Sequence, residues 1–157
     1  MNKLNNFYII ITLIFFSCEP DDICLQSFED TPKVIMRFYD EKTSELKPIK
    51  NIKITSVKSQ DTLHFEETDS IAVPLNHNDN YSSFNINIET TQVNNSDNVL
   101  IDYEKKPVYI SVGCGYILNF KINSLLIEKD SDNWIKNYNI YKSNIENEET
   151  KHIEIFH

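Results

Sequence analysis

Glycine is nearly absent from this chain of 157 residues, and its scarcity excludes several classes of function. The two glycines, Gly113 and Gly115, flank a single cysteine. The sequence therefore contains neither a glycine-rich phosphate-binding loop nor the Gly-x-Ser-x-Gly turn of a serine hydrolase. Basic residues are also few, 15 against 24 acidic ones, and the net charge is −9. Because nucleic-acid binding needs clustered lysine and arginine, we expect no nucleic-acid partner.

Long apolar runs are missing as well. The stretch Phe7–Phe16 is uncharged and mostly apolar for ten residues, whereas a membrane-spanning helix needs about 20. A run of this length behind Lys3 is typical of a secretory signal peptide. Ser17 and Cys18 follow, and a small residue before a cysteine resembles the bacterial lipobox, in which the cysteine is acylated. We predict a lipoprotein signal peptide at residues 1–17 and lipidation of Cys18; a buried segment carrying an ordinary core cysteine is the alternative.

The predicted tether, residues 18–32, begins with the acidic residues Glu19, Asp21 and Asp22. Acidic residues directly after a lipidated cysteine resemble the surface-export signal of Bacteroidota lipoproteins. We therefore expect an outer-membrane lipoprotein of the cell envelope, whose membrane partner is engaged through the lipid on Cys18. The sequence leaves open whether the protein faces the periplasm or the cell surface.

Cysteine is scarce too, with three in the chain. Once Cys18 is assigned to the lipid, Cys24 and Cys114 remain, and two cysteines in an oxidising, exported compartment can pair. The bridge would close a loop of about 90 residues and stabilise the fold by roughly 4–5 kcal/mol in the chain-entropy account. A two-cysteine metal site is the alternative, but neither cysteine has a Cys or His neighbour at ligand spacing. We predict a disulfide, no metal and no cofactor, and no catalytic role for Cys114, which lacks a basic neighbour.

The body of the chain, residues 33–157, alternates apolar and polar residues with the period of β-strands. The predicted strands are Val34–Tyr39, Ile52–Val57, Thr62–Phe65, Ile71–Leu75, Phe84–Glu89, Val99–Glu104, Val108–Cys114, Tyr116–Ile122, Trp134–Ile145 and His152–Phe156. Clusters rich in Asn and Asp, such as Asn94–Asn98, separate them and can form turns without glycine. Nine or ten strands need stacked sheets or a closed barrel. We predict an all-β, immunoglobulin-like β-sandwich in one domain; an up-and-down barrel is the alternative.

Two local expectations accompany this fold. Ser124–Lys129 is expected to form a short helical turn, the one helical segment of the body. Cys114 is expected to point inward, because it shares the alternating phase of Val108, Ile110 and Val112.

Residues with catalytic or metal-binding chemistry are scattered. The four histidines form no i, i+2 or i, i+4 pair, so surface or half-buried positions are expected for them; they are His64, His77, His152 and His157. Asp130–Asn133 offers oxygens at alternate positions but lacks the glycine and closing glutamate of a helical calcium loop. Turn formation is the favoured interpretation, and calcium binding stays open.

The chain resembles an uncharacterised family of Bacteroidota lipoproteins, classed as a domain of unknown function. The residues that carry the resemblance are Cys18–Cys24, Thr31-Pro32, Phe38-Tyr39-Asp40, Asp61-Thr62-Leu63, Ile71 with Pro74-Leu75, Tyr109-Ile110-Ser111, Cys114-Gly115-Tyr116, Trp134-Ile135 and Glu149-Thr150 with His152. The resemblance implies an envelope lipoprotein with a β-rich domain. It implies no known activity and no catalytic residues.

In that context two tripeptides resemble the O-glycosylation acceptor of exported Bacteroidota proteins. They are Asp61-Thr62-Leu63 and Asp69-Ser70-Ile71. Glycans on Thr62 and Ser70 would place these residues at the surface. The alternative is that both are ordinary strand-entry pairs.

Two classes of function remain. The first is a non-catalytic lipoprotein that binds an envelope protein or glycan through its loops or by strand addition, with Tyr39, Tyr81 and Tyr141 as candidate contact residues. The second is a small hydrolase of envelope polymers, which would need a cleft holding carboxylates of well-separated pKa. We favour the first.

Overall fold

The computed structural model describes Cys24, residues 30–89 and residues 94–157. The predicted signal peptide, the lipidation site Cys18 and most of the predicted tether lie outside these described residues. Ten β-strands make up all the regular secondary structure of the described part, which confirms the all-β prediction. Within the same part, no helix is long and apolar enough to cross a membrane.

The strands form two hydrogen-bonded sheets. They are β1 (Val34–Tyr39), β2 (Ile49–Ser56), β3 (Thr62–Thr68), β4 (Ser70–Val73), β5 (Tyr81–Glu89), β6 (Asn94–Ser111), β7 (Gly115–Ile127), β8 (Asn137–Ile140), β9 (Asn144–Ile145) and β10 (Ile153–Phe156). One sheet has the order β4-β1-β10-β8 and the other β3-β2-β5-β6-β7-β9. The sheets pack against each other and, over the described residues, do not close into a barrel, so the predicted β-sandwich is confirmed. In immunoglobulin domains the first strand pairs with the second; here β1 lies between β4 and β10, so the likeness is one of architecture.

Apolar side chains at alternate positions of both sheets form the core. In β1, Met36 and Phe38 are fully buried, and they lie in parallel register with Ile153 and Ile155 of β10, which are buried too. Burying one such side chain fully contributes roughly 1.5–3 kcal/mol. The facing sheet contributes Ile52, Ile54, Phe84, Ile86, Val99, Ile101 and Phe120. The alternation read from the sequence therefore identified the inward faces of these strands.

Strand β6 is longer than predicted. It joins two predicted strands, Val99–Glu104 and Val108–Cys114, into one strand of 18 residues. The predicted turn cluster Asn94–Asn98 forms the start of β6 instead of a loop, because it pairs with β5 in antiparallel register up to Asn94 opposite Glu89. Backbone hydrogen bonding to a neighbouring strand has outweighed the local preference of Asn and Asp for turns.

Two expectations, one for β7 and one for the hairpin tip before it, are wrong. β7 continues to Ile127, so Ser124–Lys129 does not form a helical turn; Leu125 is buried while Leu126 is exposed, as in a strand packed on one face. Cys114 is half-buried and its predicted inward neighbour Val112 is exposed. At this hairpin tip the alternation in the sequence therefore does not correspond to burial.

The chain divides into two compact units, each described here by itself. One consists of Met1–Phe28 with Tyr109–Tyr116, of which the structure describes Cys24 and the β6–β7 hairpin tip. The other consists of Glu29–Val108 with Ile117–His157, and it contains the sandwich core.

Candidate functional site

A cavity of about 690 Å³ lies beside the edge strands of the two sheets, β3 and β4. Its apolar walls are formed by Ile54, Val57, Leu63, Val73, Pro74, Leu75, Tyr81 and Phe84. The volume falls in the range of about 300–1,000 Å³ that is typical of ligand pockets. Among the described residues β3 pairs with β2 alone and β4 with β1 alone. Over these residues each strand therefore has one unpaired edge, and each contributes one residue to the cavity lining, Leu63 from β3 and Val73 from β4.

An ion pair links Lys58, which lines the cavity, to Asp79. The Lys58 ammonium contacts the Asp79 carboxylate, and the Asn76 side-chain amide donates to the same carboxylate oxygen, Oδ2, at 2.7 Å. The hydrogen bond from Lys58 lowers the pKa of Asp79, and in turn raises the pKa of Lys58. Asp79 is therefore held ionised and is poorly suited to act as a general acid.

A buried hydrogen-bond network holds the loop that forms one wall. The Tyr103 hydroxyl donates to the Asn76 carbonyl at 2.7 Å and lies 2.8 Å from the Ser82 hydroxyl, which accepts from the Asn76 N–H at 2.8 Å. Burial raises the pKa of Tyr103. Sequence reasoning missed this network, although Ser82 has the same phase as the inward Phe84 and Ile86 and was therefore a polar residue at a core position.

A second buried polar residue, Asp97, lies outside the cavity lining. Its Oδ2 accepts a hydrogen bond from the Ile135 N–H at 2.8 Å, and the neighbouring Trp134 indole donates to the Ile86 carbonyl at 3.1 Å. Desolvation raises the pKa of Asp97, although hydrogen bonds from the backbone N–H groups of Ile135 and Trp134 and from the Asn133 side chain oppose the rise. Its role is to hold the segment before β8 against the sandwich.

The histidines follow the surface expectation with one exception. His64 and His77 are exposed and His157 is half-buried. His152 is completely buried, so the expectation is wrong for this residue. Its Nδ1 accepts from the Ile35 N–H at 3.0 Å, and burial lowers its pKa. His152, which directly precedes β10, is thus hydrogen-bonded to β1, and its ring is part of the core.

The acidic loop before β8 is organised by its own hydrogen bonds. The Asp130 N–H donates to Asn133 Oδ1 at 3.0 Å and the Asp132 N–H donates to Asp130 Oδ1 at 2.9 Å. These contacts are the turn chemistry expected from the sequence. Over the residues that the structure describes, no group of three or more His, Cys, Asp or Glu side chains is arranged to hold a metal ion.

The predicted disulfide between Cys24 and Cys114 is present, with the two Cα atoms 4.7 Å apart. Cys114 lies at the hairpin tip, where its N–H donates to the Ser111 hydroxyl at 3.1 Å. Gly115 follows with a φ of 71°, a left-handed conformation that favours glycine. The turn at the tip therefore favours glycine at position 115, and the sulfur atoms of both cysteines are in the disulfide.

The remaining predicted surface residues occupy different environments. Thr62 is exposed on β3, 3.2 Å from the Thr55 hydroxyl, whereas Ser70 on β4 is half-buried. Their glycosylation stays a prediction. Tyr81 and Tyr141 are exposed, and Tyr81 lines the cavity. Tyr39 is only 8% exposed, so its predicted role as a contact residue is wrong; its hydroxyl accepts from Lys151, which covers its ring.

Comparison with known proteins gives one match. Residues 49–157, which are 109 of the 157 residues, match DUF6452, a family of unknown function. No curated protein and no solved structure matches the chain. The match covers β2 to β10, and so includes the cavity and Cys114.

Proposed function

We propose that this chain, which belongs to the DUF6452 family of unknown function, is a non-catalytic binding protein anchored to the bacterial cell envelope. The cavity beside two unpaired strand edges carries the binding part of this proposal. The signal-peptide pattern ending at Cys18 carries the anchoring part. The proposed location is the outer membrane, on its periplasmic or its surface face, in a bacterium of the Bacteroidota.

The disulfide supports export. Cys24 and Cys114 are paired, and disulfides persist in oxidising compartments outside the cytoplasm. An envelope lipoprotein would meet that condition. Metabolic labelling with an alkyne fatty acid tests the anchor directly: the wild-type chain should take up the label, and Cys18→Ser should not. Equal labelling of both would refute acylation at this position.

The occupant we propose for the cavity is an extended peptide segment of a partner protein. Such a segment can add to an unpaired strand edge by backbone hydrogen bonds, while its alternate side chains enter pockets. The end of β3 next to the cavity, Thr62–Phe65, carries no acidic residue or lysine, whereas Glu66 and Glu67 follow at the far end. Charges on an edge strand discourage pairing, so the partner would pair at the cavity end and place an apolar side chain among Leu63, Val73 and Phe84.

The carboxylates favour binding over hydrolysis. A carboxyl general acid needs a raised pKa inside the cleft. Asp79, whose partner Lys58 lines the cavity, has a lowered pKa because of the hydrogen bond from Lys58. Asp97 has a raised pKa but is buried against the Ile135 N–H, away from the lining. The two carboxylates with shifted pKa values in this region therefore do not form an acid–base pair.

Site-specific photocrosslinking in intact cells tests the peptide partner. A benzoylphenylalanine in place of Tyr81 should form one discrete protein adduct, and the same probe in place of the exposed Tyr141 should not. Val57→Asp, which puts a charge on the cavity lining, should remove the adduct while leaving the protein folded. An adduct at Tyr81 that persists with Val57→Asp would refute the cavity as the site. A periodate-sensitive adduct would identify a glycan partner instead.

A further inference from the structure

We propose that the tip of the β6–β7 hairpin, Tyr109–Tyr116, lies in the interfacial layer of the membrane that carries the lipid anchor. The inference rests on the proposed acylation of Cys18 and goes beyond it, because it gives the hairpin tip a second, non-covalent contact with the bilayer.

The tip exposes an unusual share of apolar surface. Val112 is 75% exposed, Tyr116 70% and Tyr109 53%. Eight large hydrophobic residues are exposed in the described part of the chain, and three of them fall within these eight residues. Tyr109–Tyr116 also contains no charged residue. An exposed, charge-free apolar cluster of this kind marks a surface that is covered in use.

The two tyrosines have the chemistry of a membrane–water boundary. Their rings pack edge to face, with centroids 5.2 Å apart, so they form one aromatic surface across the tip. Tyrosine is enriched at the boundary because its ring is apolar while its hydroxyl can still hydrogen-bond to water and headgroups. Val112, between them in sequence, would be the residue that reaches deepest.

The length of chain between the anchor and the tip selects the membrane as the occupant. Cys24 is disulfide-bonded to Cys114 in the tip. Cys24 lies six positions after Cys18, and a chain extends at most about 3.6 Å per residue, so their Cα atoms lie within about 22 Å of each other. An acylated Cys18 is held at the bilayer surface. The disulfide therefore keeps the apolar tip close to the same surface, and the bilayer is the apolar phase within reach.

Depth-dependent quenching tests the contact on the full acylated protein. The protein is reconstituted into vesicles of phosphatidylethanolamine and phosphatidylglycerol that include phosphatidylcholine with brominated acyl chains. Tyr116→Trp adds an indole at the tip, and Leu126→Trp, at an exposed position on β7, is the matched control; the emission of Trp134 is subtracted using the wild-type protein. The indole at position 116 should shift to shorter wavelength and lose most of its emission, and the indole at position 126 should do neither.

The outcomes separate this inference from the proposed function. An unquenched indole at position 116 in protein that is acylated and vesicle-bound overturns the tip contact and leaves the anchor intact; a protein adduct at the tip would then assign the surface to a protein partner. Absence of the acyl group by mass spectrometry overturns both. Replacing Cys24 and Cys114 together by Ser should release the tip and reduce the quenching, whereas unchanged quenching would refute the role of the disulfide.

Discussion

Asp97 Oδ2 accepts the backbone N–H of Ile135 at 2.8 Å, and this contact joins the start of β6 to the segment that leads into β8. The carboxyl group is almost completely buried, and its pKa is raised chiefly by desolvation. Burial at this position disfavours the charged form of the carboxyl group. The side chain nevertheless accepts a backbone hydrogen bond that an apolar residue could not accept.

Two replacements of Asp97 should distinguish the contribution of its hydrogen bond to stability from the contribution of its charge. Asp97→Asn keeps an acceptor for Ile135, whereas Asp97→Ala leaves the N–H unpaired and should lower the free energy of unfolding by about 1–3 kcal/mol. Because the folded pKa is raised above its ordinary value of 3.8, the stability contributed by protonation is lost as pH rises from about 3.8 through the folded value. Asp97→Asn should abolish that loss. Urea denaturation between pH 3.5 and 7 measures both effects; an unchanged pH profile in Asp97→Asn would refute the assignment.

His152 should destabilise the protein in acid. Burial lowers its pKa below the ordinary value of 6.5, so the unfolded chain takes up the proton first as the pH falls through that value. The free energy of unfolding should therefore decrease below about pH 6.5, and half-buried His157, whose pKa is also lowered by burial, adds to the decrease.

A histidine replacement checks the His152 prediction. His152→Asn keeps a side-chain acceptor for the Ile35 N–H and should make the dependence of stability on pH shallower between pH 7 and 5. His64→Asn, at an exposed position, is the control and should leave the slope as it is. Equal slopes in all three proteins would show that another group titrates.

The Tyr103 hydroxyl should act together with Ser82. Tyr103→Phe keeps the ring against Phe120, whose centroid is 5.2 Å away, and loses the hydrogen bonds to Asn76 and Ser82. We expect a loss of about 1–3 kcal/mol, because buried partners are left unsatisfied. Ser82→Ala should lower the free energy of unfolding less in the Tyr103→Phe variant than in the wild-type protein, and a double-mutant cycle measures this coupling. Strict additivity would contradict a shared network; Tyr81→Phe, at the surface, serves as the control.

Breaking the disulfide should lower stability. Cys24→Ser, Cys114→Ser and the double variant should each be destabilised by a similar amount, at most roughly 4–5 kcal/mol in the chain-entropy account. Reducing the wild-type protein should lower its free energy of unfolding by the same amount, and the midpoint of its urea unfolding should fall to that of the variants. A midpoint that does not respond to reductant would show that the bridge contributes nothing to the fold.

Alternation in the sequence predicts most of the strands, because burial on one face of a sheet imposes period two. Phe84 and Ile86, like Met36 and Phe38, are buried as their phase predicts. The prediction was wrong where a distant partner decides. Asn94–Asn98 has the composition of a turn and pairs with β5. Val112 has the phase of a core residue but is exposed at a hairpin tip.

The candidate site was harder to predict than the fold. Tyr81 was singled out by type and does line the cavity. Lys58 and Asp79 were not, because 21 positions separate them and only the folded chain brings their side chains together. The pairing of Cys24 with Cys114 could be predicted because only two cysteines remained once Cys18 was assigned to the lipid.

The parallel pairing of β1 with β10 has a consequence for how the protein is made. Ile35 and His152 exchange hydrogen bonds across 117 positions, so in a chain that emerges with its N-terminus first, β1 cannot acquire this neighbour until almost all of the chain has followed. Forming contacts over such separations is slow. The four-stranded sheet is therefore completed only after β10 has emerged, so one layer of the sandwich is missing while the residues before β10 are made.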